Sequence, residues 1–509
     1  MRLFKGASSY KILFVASEAA PFMKVGGLGS VMDSLPRMLR EQGHDARIMI
    51  PRYATMDTDK FPLKTTVKDL KLASAEVDSY GLCVSNVLEY EENGRVTAYF
   101  LENMEYYEKR ANVYGYADDP IRWLLLCRGV LEFVKKSEWK PDVIVASDWQ
   151  TGLIPNMLHV DYAHDPALSK IATIFSIHNL SYQGMFDHHF VSEMDYDEGQ
   201  SAIPAINDER LLKLNFMRRG IRYADIVNTV SPTYAQEITT PEYGELLDDL
   251  LRERRSSLFG ILNGIDCDSY NPEVDGIIEF KYGVKTLYER AKNKTVLRKK
   301  FNLPDKGGSP ILSIVSRLTD QKGFGLFIDA GEHLLNNYDF QFVVLGTGDA
   351  GLMSFFRSLG ERYPDKVSVH LSFDEKLPHY IFAGSDAILI PSKYEPSGLT
   401  QMEAMKYGAI PIVRKTGGLA DSVTDYDPKT QTGNGFVFEK FDNYALYGAI
   451  VRMLETYRYP NFWTALQKRA MNVDFSWGKS AAEYVGLFKK AIVFHKEAND
   501  KESSLRQNL

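Results

Sequence analysis

Cysteine is scarce. Cys83, Cys127 and Cys267 are the only three in 509 residues. They cannot form a disulfide framework and lack the spacing of metal ligands, which fits a reducing compartment. Long apolar runs are also missing. Nothing approaches the ~18 residues of a membrane-crossing helix, and the short run ILFVA (12–16) is followed by no signal-peptide cleavage pattern. Nor is positive charge in excess: 60 Lys and Arg face 67 Asp and Glu, a formal net charge of −7. Non-specific nucleic-acid binding needs the opposite balance. These absences point to a soluble cytoplasmic protein with neither a nucleic-acid nor a membrane partner. Any anionic ligand must be met by local positive groups.

What is present is an ordinary globular composition, 44% hydrophobic and 25% charged, in a chain long enough for two large domains or three smaller ones. Short β-branched runs recur, each followed by a Gly-rich or polar turn and an amphipathic stretch. KILFVASE (11–18), RIMIPRY (47–53), PDVIVASDW (141–149), ATIFSIHN (172–179) and ADIVNTVS (224–231) form one series. ILSIVSR (311–317), QFVVLGTG (341–348), VSVHLSF (367–373), AILIPS (387–392) and PIVRKTGG (411–418) form a second. Such runs predict parallel strands buried on both faces by helices. About 80 residues of weaker pattern separate the series, including the turn-like ILNGID (261–266) and a Lys/Arg-rich helical stretch, YERAKNKTVLRKKFNLP (288–304). The expected architecture is α/β, with two doubly wound Rossmann-like domains facing across a deep cleft. Their expected limits are 1–262 and 263–480, followed by a C-terminal helix and polar tail at 481–509. The last 15 residues, HKEANDKESSLRQNL, are expected to fray.

Ligands of such sheets sit at the carboxyl ends of strands, which selects the candidate residues. Lys24 precedes Gly26, Gly27 and Gly29 at a strand-to-helix turn, where close backbone approach and free N–H groups suit an anion; the alternative is a plain structural turn. The Walker pattern is absent. Asp148 and His178 each end a strand run. Arg317 and Lys322 share one loop, a guanidinium fork and a point charge able to converge on one diphosphate. The segment 391–405 carries Glu395 and Glu403 eight positions apart, with Gly398, Leu399 and Thr400 where a helix should begin. It can offer acceptors to sugar hydroxyls and N–H donors to phosphates. A competing signal is Gly346-Thr-Gly348-Asp-Ala-Gly351, a literal GxGxxG after a strand, with Asp374 and Glu375 a little over 20 residues on. It would suit an NAD-dependent dehydrogenase. Against it, a complete strand–helix unit precedes the motif.

Taken together, the motifs KVGGLG (24–29), SDWQTGL (147–153), IHNLSYQG (177–184), GILNGID (260–266), VSRLTDQKG (315–323), LGTGD (345–349), EPSGLTQ (395–401) and KYGAIPIVRKTGGLADSV (406–423) resemble those of bacterial glycogen synthases and plant starch synthases, glycosyltransferase family 5. The resemblance runs over nearly the whole chain. It implies a GT-B fold and retaining transfer of glucose from ADP-glucose, or UDP-glucose, to an α-1,4-glucan acceptor, with no metal or other cofactor; self-association is left open. It also implies roles: Lys24 at the donor, Asp148 and His178 at the transferring glucose, Arg317 and Lys322 at the distal phosphate, Glu395 at the glucose, and Asn263 with Asp266 in the hinge signature. The chain departs from the family pattern at Ser30, where Asp is usual. It departs again at Val145 and Ser147, where two histidines are usual, and at Ser397, a frequent Cys. A catalytically weak glucan-binding relative is the further alternative these departures raise.

Overall fold

The computed structural model describes residues 9–72, 83–92, 95–184, 195, 197–204 and 208–507. The chain divides into two compact units. One comprises Met1–Val230, Ala235–Ile261 and Trp477–Leu509, the other Ser231–Tyr234 and Leu262–Ser476.

The first unit is built on a nine-stranded sheet. In chain order its strands are Lys11–Val15 (β1), Asp45–Pro51 (β2), Lys64–Leu72 (β3), Cys83–Tyr90 (β4), Thr97–Glu102 (β5), Val143–Ser147 (β6), Ala172–Ile177 (β7), Ile226–Thr229 (β8) and Leu258–Gly260 (β9). Their spatial order is β3-β4-β5-β2-β1-β6-β7-β8-β9. β1, β2, β6, β7 and β8 are the apolar runs seen in the sequence. Ile12–Val15 and every residue of β6, β7 and β8 are buried, as strands covered on both faces require. The expectation of parallel strands holds for only part of this sheet. The sheet is not parallel throughout, because β3 pairs antiparallel with β4, and β4 with β5. β3 is an edge strand, KTTVKDLKL, with only Leu70 and Leu72 buried; its lysines suit an open edge and leave no apolar run to detect.

The second unit holds six parallel strands: Ile311–Val315 (β10), Gln341–Leu345 (β11), Val367–His370 (β12), Ala387–Ile390 (β13), Ile410–Arg414 (β14) and Phe436–Phe438 (β15). Their order is β12-β11-β10-β13-β14-β15. In each sheet the strand order reverses at one place, between β1 and β6 in the first and between β10 and β13 in the second. At such a switch point the loops leaving the two strands diverge and open a crevice.

The C-terminal helix Trp477–Gln507 belongs to the first unit. Trp477, Ala481, Tyr484, Leu487, Phe488 and Ala491 recur at helical spacing and pack in its core. The expected fraying is corrected: residues 495–507 continue the helix. Its polar end is tied down by His495, whose Nδ1 lies 3.1 Å from Asp225 and whose Nε2 lies 3.0 Å from the Ser169 carbonyl oxygen.

Candidate active site

At the switch point of the second unit, the loop after β10 carries Arg317 and Lys322, and the loop after β13 carries Glu395. Lys322 Nζ lies 2.6 Å from Glu395 Oε2, and Ser392 Oγ donates to the same oxygen at 3.0 Å. Glu395 is 6% exposed, so the pair is largely withdrawn from water and correspondingly strong. Arg317 stands exposed on its loop and has no ion-pair partner among the described residues.

Backbone contacts hold these loops. Lys393 N–H donates to Gln321 O at 2.8 Å, and Gly418 N–H donates to Glu395 O at 3.1 Å. A Cβ at Gly417 would lie 2.0 Å from Glu395 O, and one at Gly418 would lie 1.8 Å from Ser397 O. Gly398 adopts φ 66°, Leu399 is the N-cap residue, and the helix Thr400–Lys406 follows, with Glu403 about one turn in and partly exposed.

The GTGDAG segment has a different use. A Cβ at Gly346 would meet Ser316 O at 2.0 Å, and one at Gly348 would meet Leu318 O at 2.2 Å. Leu318 N–H donates to Thr347 O at 2.9 Å, and Asp349 N–H donates to Leu318 O at 2.7 Å. The glycines admit the loop that carries Arg317, so the space a pyrophosphate would need is filled by backbone. Sequence reasoning passed over Phe373. It is 80% exposed, just beyond β12, and offers a flat apolar face on the strand-end side of the sheet. Its position at the end of the run VSVHLSF was the available signal.

In the first unit, Asp148 and His178 follow the adjacent strands β6 and β7. Asp148 sits at φ 59°, ψ 179°, a conformation that costs a non-glycine residue about 1–3 kcal/mol and tends to persist at functional sites. It is held there by its N–H, which donates to Ser176 O at 2.8 Å. Its carboxylate accepts from the N–H groups of His178 (2.7 Å) and Asn179 (3.4 Å). Loss of hydration still pushes the carboxyl up to about 7; those N–H groups oppose the shift and the charge of Glu18 adds to it. Desolvation pushes His178 down to about 4, so its imidazole is neutral at pH 7. Its Nε2 lies 3.4 Å from Ser176 Oγ.

Glu18, at the end of KILFVASE, is the other residue passed over. It is 3% exposed, and an acid ending an apolar strand run was the signal. The helix Gly27–Glu41 starts after Gly26, its N-cap. The Glu18 carboxylate accepts from the N–H groups of Val25 and, at 3.0 Å, Gly26. The anion seat of the glycine loop is therefore occupied by the chain's own carboxylate. Lys24 is exposed beside it, and a Cβ on Gly27 would meet nothing within 4 Å.

Asn263 is buried, and its side-chain oxygen has no hydrogen-bond partner among the described residues. Asp266 caps the following turn, accepting from Ser269 Oγ at 2.6 Å. Cys127 and Cys267 are free thiols. Among the described residues no group of three or more His, Cys, Asp or Glu side chains is arranged to hold a metal ion, and no helix is long and apolar enough to cross a membrane.

Comparison with known proteins assigns both units. A family model described as the starch synthase catalytic domain matches residues 11–253, and one described as glycosyl transferases group 1 matches residues 295–469. The chain is 42% identical over 487 residues to a glycogen synthase of Thermotoga maritima, covering 95% of this chain and 99% of that one. It is 42% identical over 491 residues to a glycogen synthase of Clostridium perfringens, covering 96% and 100%. Among solved structures, the catalytic domain of starch synthase IV from Arabidopsis thaliana, bound to ADP and acarbose, matches with a TM-score of 0.80 at 33% identity, covering 96% of this chain and all of that one. Neither the dehydrogenase nor the binding-only alternative finds support in these relatives. With two family models in tandem and full-length similarity on both sides, the chain belongs to the glycogen and starch synthase family and is a nucleotide-sugar-dependent glucosyltransferase of the GT-B fold that elongates glucan.

Proposed function

We propose that the chain extends α-1,4-glucan from ADP-glucose with retention at the anomeric carbon, and that it does so in the cytoplasm without a metal. The observation that carries the assignment of roles is the Lys322–Glu395 pair at the switch point of the second unit, with the exposed Arg317 on the same loop as Lys322. In this reading the second unit is the donor side and the first is the acceptor and catalytic side. Arg317 and Lys322 receive the diphosphate, helped by the backbone N–H groups around Gly398, Leu399 and Thr400. Phe373 offers its face to the base, and Glu403 accepts from the ribose. Lys24, Gly26, Gly27 and Asn263 are further donor-binding residues in this reading. Adenine as the base is supported by the starch synthase IV domain, which is bound to ADP and acarbose.

The chemical difficulty is charge separation. As the bond from C1 to the diphosphate oxygen breaks, the glucose becomes oxocarbenium-like and the leaving group gains negative charge. Arg317 and Lys322 stabilise that charge where it develops. Lys322 is then shared with Glu395, which stays oriented by Ser392 and accepts from a glucose hydroxyl. The acceptor 4-OH attacks C1 from the face the diphosphate leaves. Its proton passes to a phosphate oxygen, so ADP and a glucan longer by one glucose are formed and no separate side-chain base is required. Neutral His178 and ionised Asp148 hydrogen-bond the glucose, and the carboxylate opposes the positive charge at C1.

The test is transfer of labelled glucose from ADP-glucose and from UDP-glucose to glycogen, followed by β-amylase digestion. Faster incorporation from ADP-glucose, with the label released as maltose, is expected. Preference for UDP-glucose would overturn the donor assignment, and label resistant to β-amylase would overturn the linkage and its retained configuration.

A further inference from the structure

The glycine loop of the first unit ends in a helix N-terminus, where unpaired N–H groups and the helix dipole favour an anion. The anion is already there. Glu18 Oε2 accepts from Val25 and Gly26, and Gly29 makes room for it: a Cβ there would lie 3.1 Å from Glu18 Oε2 and 3.2 Å from Lys24 Cγ. The other oxygen, Oε1, accepts from Tyr114 OH at 3.3 Å. Tyr114 OH also lies 2.8 Å from Ser17 Oγ, and Tyr53 OH donates to Ser17 O at 2.6 Å. Among the described residues no cation pairs with Glu18. A buried carboxylate held only by neutral donors keeps its field, and in surroundings of low polarisability that field reaches neighbouring groups.

We propose that Glu18 is a positioning residue with two separable tasks: its oxygens hold the Lys24 loop in place, and its charge acts on Asp148 and His178. This rests on the reading of Asp148 as a group that must be ionised to meet the glucose. Glu18, Asp148 and His178 leave the carboxyl ends of three neighbouring strands, β1 beside β6 with Val15 opposite Ala146, and β6 beside β7; Tyr53 and Tyr114 are the other titratable groups coupled to Glu18, Arg122 acts on Tyr53, and Lys24 is exposed. The negative charge of Glu18 raises the proton affinity of Asp148 and of His178 alike. For Asp148 the sign is clear: less carboxylate at a given pH, hence lower activity on the acidic side.

Two conservative variants separate the tasks. Glu18→Gln keeps an oxygen at the right reach for Val25 and Gly26 but removes the charge. Glu18→Asp keeps the charge but is one methylene too short to hold the loop. Each is checked for folding by its melting curve, then assayed for glucose transfer across pH 5–9 with ADP-glucose varied. For Glu18→Gln the acidic limb of kcat/KM should move down by about half to one pH unit, with little change in donor KM. For Glu18→Asp the limb should stay where it is, while donor KM rises about tenfold, as expected when charge-assisted hydrogen bonds are lost.

If folded Glu18→Gln leaves the limb unmoved, the electrostatic task is wrong. If folded Glu18→Asp leaves donor KM unchanged, the clamping task is wrong. Asp148→Asn distinguishes these failures from failure of the underlying reading: if it turns over normally, Asp148 has no part in transfer and the proposal falls with it. If it is slow while both Glu18 variants behave as wild type, the site stands and only the role of Glu18 is lost.

Discussion

The two units place their loops by the same device and charge them in opposite ways. At the switch point between β10 and β13, the buried carboxylate of Glu395 has an ammonium 2.6 Å away. At the switch point between β1 and β6, Glu18 and Asp148 have no cationic partner among the described residues and rely on backbone N–H and hydroxyl donors. Strand order fixes where a crevice can open; the loop sequence alone decides its charge. The consequence is visible in Asp148, pushed up to about 7 by lost hydration with Glu18 adding to the shift. The first crevice is thus poised to titrate near neutral pH, and the second is built around an ion pair.

The sharpest way to break that contrast is to remove the fixed charge. Arg317→Ala and Lys322→Ala should each lower turnover by on the order of 10²–10³, the scale of losing a donor aimed at developing negative charge. Labelled-glucose incorporation at saturating donor gives the number. Lys322→Ala also leaves Glu395 buried without a cation, as Glu18 is, so it should lower the melting temperature where Arg317→Ala does not. Near-normal elongation by both variants would mean that the second unit does not handle the diphosphate with these groups.

Much of this contrast was legible in the sequence, and the illegible parts have physical reasons. β1, β2, β6, β7, β8, β10, β11, β13 and β14 announce themselves because strands covered on both faces are largely apolar, and β12, an edge strand with only Val367 buried, by its alternating VSVH. β3 shows water most of its residues, and β9 and β15 have three residues each, too few for a pattern. Lys322 and Glu395 were both nominated, but their ion pair joins positions 73 apart, and no local spacing can reveal that. Lys24 was nominated for an open anion seat. That Glu18 already fills the seat depends on how the chain turns back after β1. The GTGDAG motif misleads because one glycine pattern serves two needs, admitting a phosphate or admitting the protein's own backbone, and only the carbonyls of Ser316 and Leu318 tell which.

The glycine loops provide a second comparison. In the second unit, Gly417 and Gly418 are closed over by carbonyl oxygens that cannot move without the segment carrying Glu395. In the first unit, the loop is held by a side chain and Gly27 faces open space. Gly418→Ala should therefore destabilise the protein by on the order of 3–5 kcal/mol, the range of severe overpacking. Gly27→Ala lies in the first turn of a helix and should change stability by less than about 1 kcal/mol, in the favourable direction. Thermal melts of the two variants decide it. Equal effects would mean that the two loops are held in the same way.

The finest comparison lies at the opposite ends of the sheets. In each unit an aspartate just before a strand caps its neighbour: Asp225 accepts from Thr173 N–H at 2.7 Å, and Asp386 accepts from Ile311 N–H at 2.8 Å. In each, a helix brings a cation to that aspartate, His495 in the first unit and Lys294, 2.6 Å from Asp386, in the second. The imidazole is the partner whose charge changes within the working range. Nδ1 of His495 faces Asp225 and Nε2 faces the Ser169 carbonyl oxygen, with the Asn499 amide nitrogen also 3.1 Å from Nε2; only the doubly protonated ring can donate to both acceptors. Hydrogen bonds to Asp225 and to the Ser169 carbonyl raise its pKa above the ordinary 6.5 despite the opposing effect of burial. A raised folded-state value means the stabilisation is complete below 6.5 and fades as pH climbs through the folded value. His495→Asn should therefore loosen the last turns of the C-terminal helix by about 1–2 kcal/mol at pH 6 and by much less at pH 9. The measure is protection of the amides of residues 495–507 from deuterium exchange. A pH-independent loss in His495→Asn would mean that the ring is held by packing and not by its charge.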